Sequence, residues 1–130
     1  MHIELGSNAT FEVEGGDTSL SGALEGKLKV GGGIVRLSGV SGTADIEVAA
    51  GSTLYFEGNG DTELALNNSG EIVFDGQIGF KSKIMSSGTL TFLDGSEVSF
   101  ESDEQSTVAD VRTNGTMRVA GAGGLYVQRV

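Results

Sequence analysis

The chain has 130 residues, enough for one domain with a buried core but too few for two. Its 18 acidic and eight basic residues give a formal charge of −10, which repels phosphate backbones and anionic lipid surfaces and argues against nucleic acid as a partner. The absence of cysteine and proline beside 22 glycines excludes a disulfide framework, a thiolate metal site and collagen.

The first predicted element is a pair of short strands in residues 3–15, IELGSNATFEVEG. Apolar residues alternate with polar ones there, and this period of two indicates strands with one buried face. The apolar positions are Ile3, Leu5, Phe11 and Val13. The next residues, 16–27, break the pattern and predict either an extra partial strand or a loop at one corner.

The same unit returns in residues 28–39, 46–58, 64–76 and 82–95, with a spacing of eighteen residues between the last three copies. The aligned positions pair Ile46, Val48, Leu54, Phe56 and Gly58 with Leu64, Leu66, Ile72, Phe74 and Gly76, and continue at Leu90 and Phe92. A constant period with an aromatic residue in one slot is the signature of a repeat architecture.

A second irregular segment, residues 96–108, precedes the last copy in residues 109–121, ADVRTNGTMRVAG. Aligned with residues 46–58, this copy places Val111, Met117 and Val119 at core positions. The chain then finishes with GGLYVQRV, a run of β-forming residues.

These units predict an all-β, single parallel β-helix (β-solenoid) of about six coils that spans residues 1–130. At about 3.3 Å per residue, a coil of eighteen residues has a perimeter of roughly 60 Å, or three sides of about 20 Å. Leu54, Ile72 and Leu90 then form one interior row, and the aligned phenylalanines form another. Glycines with positive φ turn the corner at Gly39, Gly58 and Gly76. The rival is an antiparallel β-sandwich, which uses similar turns but needs no constant period.

The phrases NSGEIVFDG and SSGTLTFLDG resemble the coils of bacterial right-handed β-helix surface proteins, such as autotransporter and filamentous-haemagglutinin-like passenger segments. That resemblance implies an exported adhesin stalk or surface-displayed structural segment. The chain is also similar to the bactofilins, small cysteine-free β-helices that polymerise end to end in the bacterial cytoplasm. Residues 1–16 contain no secretion signal. We therefore expect a cell-surface location if the chain was cut from a longer precursor, and a cytoplasmic one if Met1 is the native start.

Catalytic chemistry finds little support in the sequence. His2 is the single imidazole and has no second component for a triad. Glu57, Asp75 and Asp94 fall near equivalent coil positions and form a candidate acidic column, but the four arginines, at 36, 112, 118 and 129, read as scattered over different coils. We therefore expect no enzyme. The alternative is a carbohydrate-binding or polysaccharide-cleaving β-helix protein.

Calcium is the only cofactor with candidate ligands, because hard carboxylate oxygens cluster around the second irregular segment. These candidates are Asp94, Glu97, Glu101, Asp103 and Glu104. A shorter group follows Gly58, with Asn59, Asp61 and Glu63. Tyr55 and Tyr126 are expected to point outward, where a ring can stack on a sugar.

The two ends of the coil stack are the main predicted interaction sites. A β-helix exposes unpaired strand edges at both ends, and edge strands without charges or proline associate readily. The predicted assembly edges are Ile3, Leu5, Leu125, Tyr126 and Val127. The expected function is a non-catalytic structural module that assembles end to end or forms part of a bacterial surface adhesin or filament. A surface polysaccharide or a host receptor is a further candidate partner. The chain has no run of eighteen apolar residues, so we expect no membrane insertion.

Overall fold

The computed structural model describes residues 2–129, and side chains up to residue 128. All regular secondary structure in this part of the chain is β-strand. The strands are β1 (His2–Leu5), β2 (Thr10–Val13), β3 (Asp17–Leu24), β4 (Lys27–Val30), β5 (Ile34–Ser41), β6 (Asp45–Val48), β7 (Thr53–Thr62), β8 (Ala65–Asn68), β9 (Glu71–Phe80), β10 (Ile84–Phe92), β11 (Glu97–Phe100), β12 (Ser106–Thr113), β13 (Thr116–Val119) and β14 (Leu125–Arg129).

The strands stack into three faces, and every pairing between them is parallel. Face one contains β2, β4, β6, β8, the first parts of β10 and β12, and β14. Face two contains the first parts of β3, β5, β7 and β9 and the last parts of β10 and β12. Face three contains β1, the last parts of β3, β5, β7 and β9, then β11 and β13.

The chain visits the faces in a fixed order and completes about seven turns, close to the six predicted from the sequence. A parallel β-solenoid is therefore confirmed, and the antiparallel sandwich is wrong. This structure forms because apolar and polar residues alternate along each strand, so the apolar side chains of every face point into the core. The backbone groups of each strand form hydrogen bonds with the turns above and below.

The two predicted interior rows are confirmed by the register of face two. Leu54 pairs with Ile72 and Ile72 with Leu90, and the next inward position runs from Phe56 through Phe74 to Phe92. Four of these six side chains are completely buried, and the other two, Phe56 and Phe92, are at most 4% exposed. Removal of this apolar surface from water is the main stabilising contribution that the stack offers.

Phenylalanines from face three meet this row at the centre of the solenoid. The ring of Phe74 lies 5.5 Å from that of Phe80 and 5.0 Å from that of Phe92, both in edge-to-face arrangements. Phe80 also packs on Phe56 at 5.3 Å. Edge-to-face contacts at these separations are favourable beyond the area that they bury.

The corner between faces two and three requires glycine, as predicted. Gly39, Gly58 and Gly76 have φ values of 65°, 112° and 141°. At Gly76 a Cβ atom would also overlap the carbonyl oxygen of Gly58 in the turn below. Glycine at this position therefore serves both the positive φ and the close approach of two stacked turns.

One register predicted from the sequence is wrong. Ile46 pairs with Leu66, and Val48 with Asn68, so the offset on face one is twenty residues and not eighteen at this step. Leu64 is buried at the preceding corner, where its N–H donates to Thr62 Oγ1 at 3.1 Å. The difference arises because β7 continues to Thr62 along face three and lengthens that turn.

The first and last copies were assigned to the wrong faces. Phe11 pairs with Leu28 on face one, so it belongs to the row of Ile46 and not to that of Leu54. Val111 pairs with Leu90 on face two, and Met117 with Val98 on face three. Because all three faces share the same alternation, an alignment of the sequence with itself cannot distinguish one side of the prism from the next.

The two irregular segments are regular sides of the solenoid. Residues 17–24 form β3, which spans a corner between two faces, and residues 97–100 form β11 on face three. Of the two alternatives, strand and extruded loop, the strand is confirmed for both. These sides account for the additional turn.

A buried asparagine lies where the interior rows are otherwise apolar. Asn68 is 1% exposed and occupies the row of Val48. Its Nδ2 donates to Ser86 Oγ at 3.0 Å, and its Oδ1 accepts from the Gly70 N–H at 3.0 Å. The amide therefore closes the turn between faces one and two and connects it to the turn above, which satisfies a polar group that would otherwise be costly to bury.

Candidate functional site

The described residues leave one set of strand edges unpaired at each end of the stack. We define the lower end as β1, β2 and residues 17–20, and the upper end as residues 110–113, β13 and β14. Each of these segments has a ladder partner on one side only, except at Asp110, which pairs with Thr89 below and with Arg129 of β14 above. Unpaired edges of this kind are ready templates for another strand.

Both ends carry apolar side chains above or below the core. At the lower end, Leu5 is 7% exposed and Ile3 is partly buried. At the upper end, Leu125 and Val127 pack partly against the core, and Val119 is 49% exposed. Four of the five predicted assembly edge residues therefore lie at an end and point inward; the fifth, Tyr126, is also in an end strand but is 52% exposed and points outward on face one.

The two ends differ in charge. Residues 2–20, which form the lower end and its turns, include four carboxylates and no lysine or arginine; the acidic residues are Glu4, Glu12, Glu14 and Asp17. The upper end includes Asp110 beside Arg112 and Arg118, and Arg129 belongs to β14. The scattering of the arginines expected from the sequence is therefore wrong, because three of the four belong to the last turn.

Two of these end charges already have partners inside the stack. Asp17 Oδ1 lies 3.2 Å from Arg36 Nε in the turn above. Arg118 reaches down to Glu97 Oε1 at 3.8 Å, with 64% of the arginine side chain exposed. Exposed pairs of this kind contribute little to stability, so Arg118 keeps most of its capacity to bind a further anion above it.

The calcium candidates are not brought together. Glu97 and Glu101 lie on face three, but Glu97 faces Arg118. Glu104 lies 3.2 Å from Lys83 Nζ, while Asp94 precedes β11 in a turn, and Asp103 lies in the bend after β11. Across residues 2–129 no group of three His, Asp or Glu side chains is arranged to hold a metal ion.

The candidate acidic column is shorter than the sequence indicated. Glu57 and Asp75 are direct neighbours on face two. The N–H of Leu93 donates to the Phe74 carbonyl, which places Leu93 and not Asp94 above Asp75. The column therefore ends after two carboxylates, a half-buried Glu57 and an exposed Asp75, with a leucine above them.

A polar groove of about 310 Å³ crosses face three at Gly79, where the missing side chain leaves a gap in the outward row. The carboxylates of Asp61 and Glu101 both approach this gap. Asp61 also lies 3.6 Å from Lys81 Nζ, and Asn59 and Gln77 line the same groove. Hydrogen-bonding groups of this type can bind hydroxyl groups, but the groove contains no imidazole and is shallow and open to solvent.

The two tyrosines differ in what they can bind. The guanidinium of Arg36 lies 4.4 Å from the ring centroid of Tyr55, so one face of that ring is covered. The ring of Tyr126 is exposed on face one. Of the two predicted sugar-stacking positions, only Tyr126 therefore has an accessible ring.

Searches of protein-family models, curated proteins and solved structures found no match to the chain. Within residues 2–129 no helix is long and apolar enough to cross a membrane. The geometry of the stack is therefore the basis on which a function must be argued.

The sequence did not point to the charged residues of the two ends. Glu4, Glu12 and Arg118 look like ordinary surface residues in their own copies, because each alternates with apolar neighbours. The available signal was the concentration of three of four arginines after residue 111 and the absence of lysine and arginine before residue 27.

Proposed function

We propose that the chain is a structural, non-catalytic β-solenoid module that joins further copies of itself end to end. The observation that supports this proposal is the presence, within residues 2–129, of unpaired parallel strand edges above and below one continuous apolar core. Such edges lower their free energy when another strand completes the hydrogen-bond ladder and covers the exposed apolar side chains.

The end-to-end contact is heterologous, because the surface that one copy offers at its upper end meets a different surface at the lower end of the next. A heterologous contact without a closing rotation gives open filaments and not dimers. The resemblance to bacterial surface segments favours a filament or adhesin stalk at the cell surface, whereas the similarity to bactofilins favours a cytoplasmic filament.

The test is to measure association of the 130-residue chain by sedimentation velocity over a range of concentrations, with electron microscopy of the concentrated sample. We expect oligomers that lengthen with concentration. The Ser106 N–H donates to the Gly124 carbonyl, so the backbone groups of Gly124 point down to β12 and, by alternation along the strand, the Val127 N–H points up to the open edge. Val127→Pro removes this N–H and should therefore block growth of the filament.

The matched control is Ala122→Pro, which adds the same residue in a turn just before β14 and outside any strand. It should fold and associate like the unmodified chain. Far-UV circular dichroism should show an unchanged β signal for both variants. A sharp monomer with no filaments at every concentration would contradict the proposed function.

The alternative function is carbohydrate binding or cleavage, and the groove at Gly79 is the observation that favours it. Incubation with acidic polysaccharides, followed by assays for reducing or unsaturated sugar ends, distinguishes this alternative from a structural role. We expect no release of sugar. Release that is abolished in Asp61→Asn or Asp75→Asn would replace the structural proposal by an enzymatic one.

A further inference from the structure

We propose that the copies join with one polarity, upper end to lower end, and that Arg118 of one copy pairs with Glu4 of the next. This inference rests on the proposed end-to-end association and specifies its partner surface, its direction and its register. Three features support it: the charges of the two ends, the direction of their unpaired backbone groups and the order of the faces.

Charge favours contact between unlike ends. The lower end presents Glu4, Glu12, Glu14 and Asp17 with no lysine or arginine, whereas the upper end presents Arg112 and Arg118 beside one acidic residue, Asp110. Contact between two lower ends would bring carboxylates together, and contact between two upper ends would bring guanidinium groups together. Because like charges that face each other across an interface are repulsive, both symmetric arrangements are disfavoured.

The unpaired N–H and C=O groups at the two ends alternate up and down along their strands in the same way as the paired groups inside the stack. Leu5 accepts from the Glu25 N–H in the turn above, so alternation directs the backbone groups of Glu4 to the open lower edge. The Ala120 N–H donates down to the Phe100 carbonyl, so alternation directs those of Val119 to the open upper edge. Strand β1 of a second copy can therefore extend the ladder of β13 in the phase that β11 and β13 already use.

The register follows from keeping inward residues over inward residues. With Met117 below Ile3 of the next copy and Val119 below its Leu5, the outward residue between them, Arg118, comes to lie below Glu4. On face one the same rule places Leu125 and Val127 below Phe11 and Val13 of the next copy. Apolar contacts and one ion pair thus come from a single placement.

This junction completes two faces and leaves the third open. Faces one and three each contain seven strand segments, whereas face two contains six. When β1 and β2 of the next copy lie on β13 and β14, one strand-wide opening remains on face two, between residues 111–113 and residues 17–20 of the next copy. The ladder on face three places Arg118 below Glu4 of the next copy, and the ladder on face one stacks apolar residues over one another. The preferred polarity of the contact therefore follows from these two faces and does not depend on the open one.

The test uses charge reversal at the two partners. Glu4→Arg and Arg118→Glu should each fold, since both side chains are exposed, and each should weaken association roughly tenfold by replacing an attractive contact with a repulsive one. An equimolar mixture of the two variants should associate again, because every upper-to-lower contact in an alternating filament then pairs opposite charges. The control is Asp75→Arg, which changes the charge by the same amount as Glu4→Arg but lies in a central turn, away from both ends. This variant should associate like the unmodified chain.

Sedimentation velocity on the unmodified chain, each variant and the mixture gives distinct outcomes. A mixture that associates where the separate variants do not supports the proposed polarity and pairing. If the unmodified chain forms filaments and both single variants do so equally well, the pairing is wrong while end-to-end association stands. If Glu4→Arg alone forms dimers through its unmodified upper end, the polarity is wrong. If the unmodified chain stays monomeric, the proposed function itself is wrong.

Discussion

Truncation of Phe74 tests the interior row on which the fold depends. Phe74 is completely buried, and its ring makes edge-to-face contacts with Phe80 from face three and with Phe92 from the next turn of face two. Phe→Ala changes in protein cores cost about 3–5 kcal/mol, and each aromatic contact adds roughly 0.5–1.5 kcal/mol to simple burial. We therefore expect Phe74→Ala to lower the free energy of unfolding by about 4 kcal/mol, in the middle of that range.

Urea denaturation followed by far-UV circular dichroism measures this loss. With a slope of about 2 kcal/mol per molar urea, a loss of about 4 kcal/mol moves the midpoint down by about 2 M. Asp75→Ala is the matched control, because Asp75 is adjacent in sequence but exposed. Glu71→Ala is less suitable as a control, since Glu71 accepts a hydrogen bond from Thr91 Oγ1 at 2.9 Å. Equal midpoints for Phe74→Ala and Asp75→Ala would refute the stacked aromatic core.

Two further substitutions test the corners. Asn68→Ala should destabilise the fold by about 2–3 kcal/mol, since it leaves Ser86 Oγ and backbone groups of the corner without their buried partner, and the same urea titration measures the change. Gly76→Ala should lower the melting temperature much more than Gly39→Ala, because a Cβ at residue 76 overlaps the Gly58 carbonyl while the space around Gly39 is open. Equal melting temperatures for the two alanine variants would contradict the close stacking of turns at this corner.

The part of the fold that the sequence predicted well is the part where one residue type marks one position. Phenylalanine recurs at positions 56, 74 and 92, and this constant offset of eighteen identified equivalent positions on face two. Glycines that require positive φ marked the following corner in the same way. These signals carry positional information because few other residues satisfy the same steric conditions.

The prediction failed where alternation was the only signal. Phe11 and Val111 alternate with polar neighbours in the same way as residues of any face, and so the first and last copies were placed one side away from their true positions. The step from Val48 to Asn68 failed for a related reason, since an apolar residue was expected at a position that a buried amide occupies. Hydrogen bonds that close a corner depend on which turns are stacked, and a single period does not specify that.

The sequence predicted the position of the candidate site but not its charged residues. Ile3, Leu5, Leu125 and Val127 were identified as edge residues from their β propensity and their place in the first and last predicted strands, and the structure places all four in end strands. Their charged neighbours were missed because the assignment of Arg112 and Arg118 to a common last turn depends on the path of β12 and β13. The charge difference between the two ends can be recognised only after each charged residue has been assigned to its turn of the solenoid.

The count of sides also explains why the proposed junction should be weaker than the interior of the solenoid. Inside the stack each complete turn forms three parallel ladders, whereas a head-to-tail contact in the inferred register forms two, on faces one and three. The open strand position on face two leaves backbone groups of residues 111–113 exposed to water and removes one third of the contact that a continuous chain would have. Association therefore depends more strongly on the remaining contacts, and a single ion pair such as Arg118 with Glu4 of the next copy becomes a larger fraction of the binding free energy. The same geometry makes separation of copies easier than unfolding of a copy, because separation breaks two ladders while unfolding also disrupts the buried aromatic row.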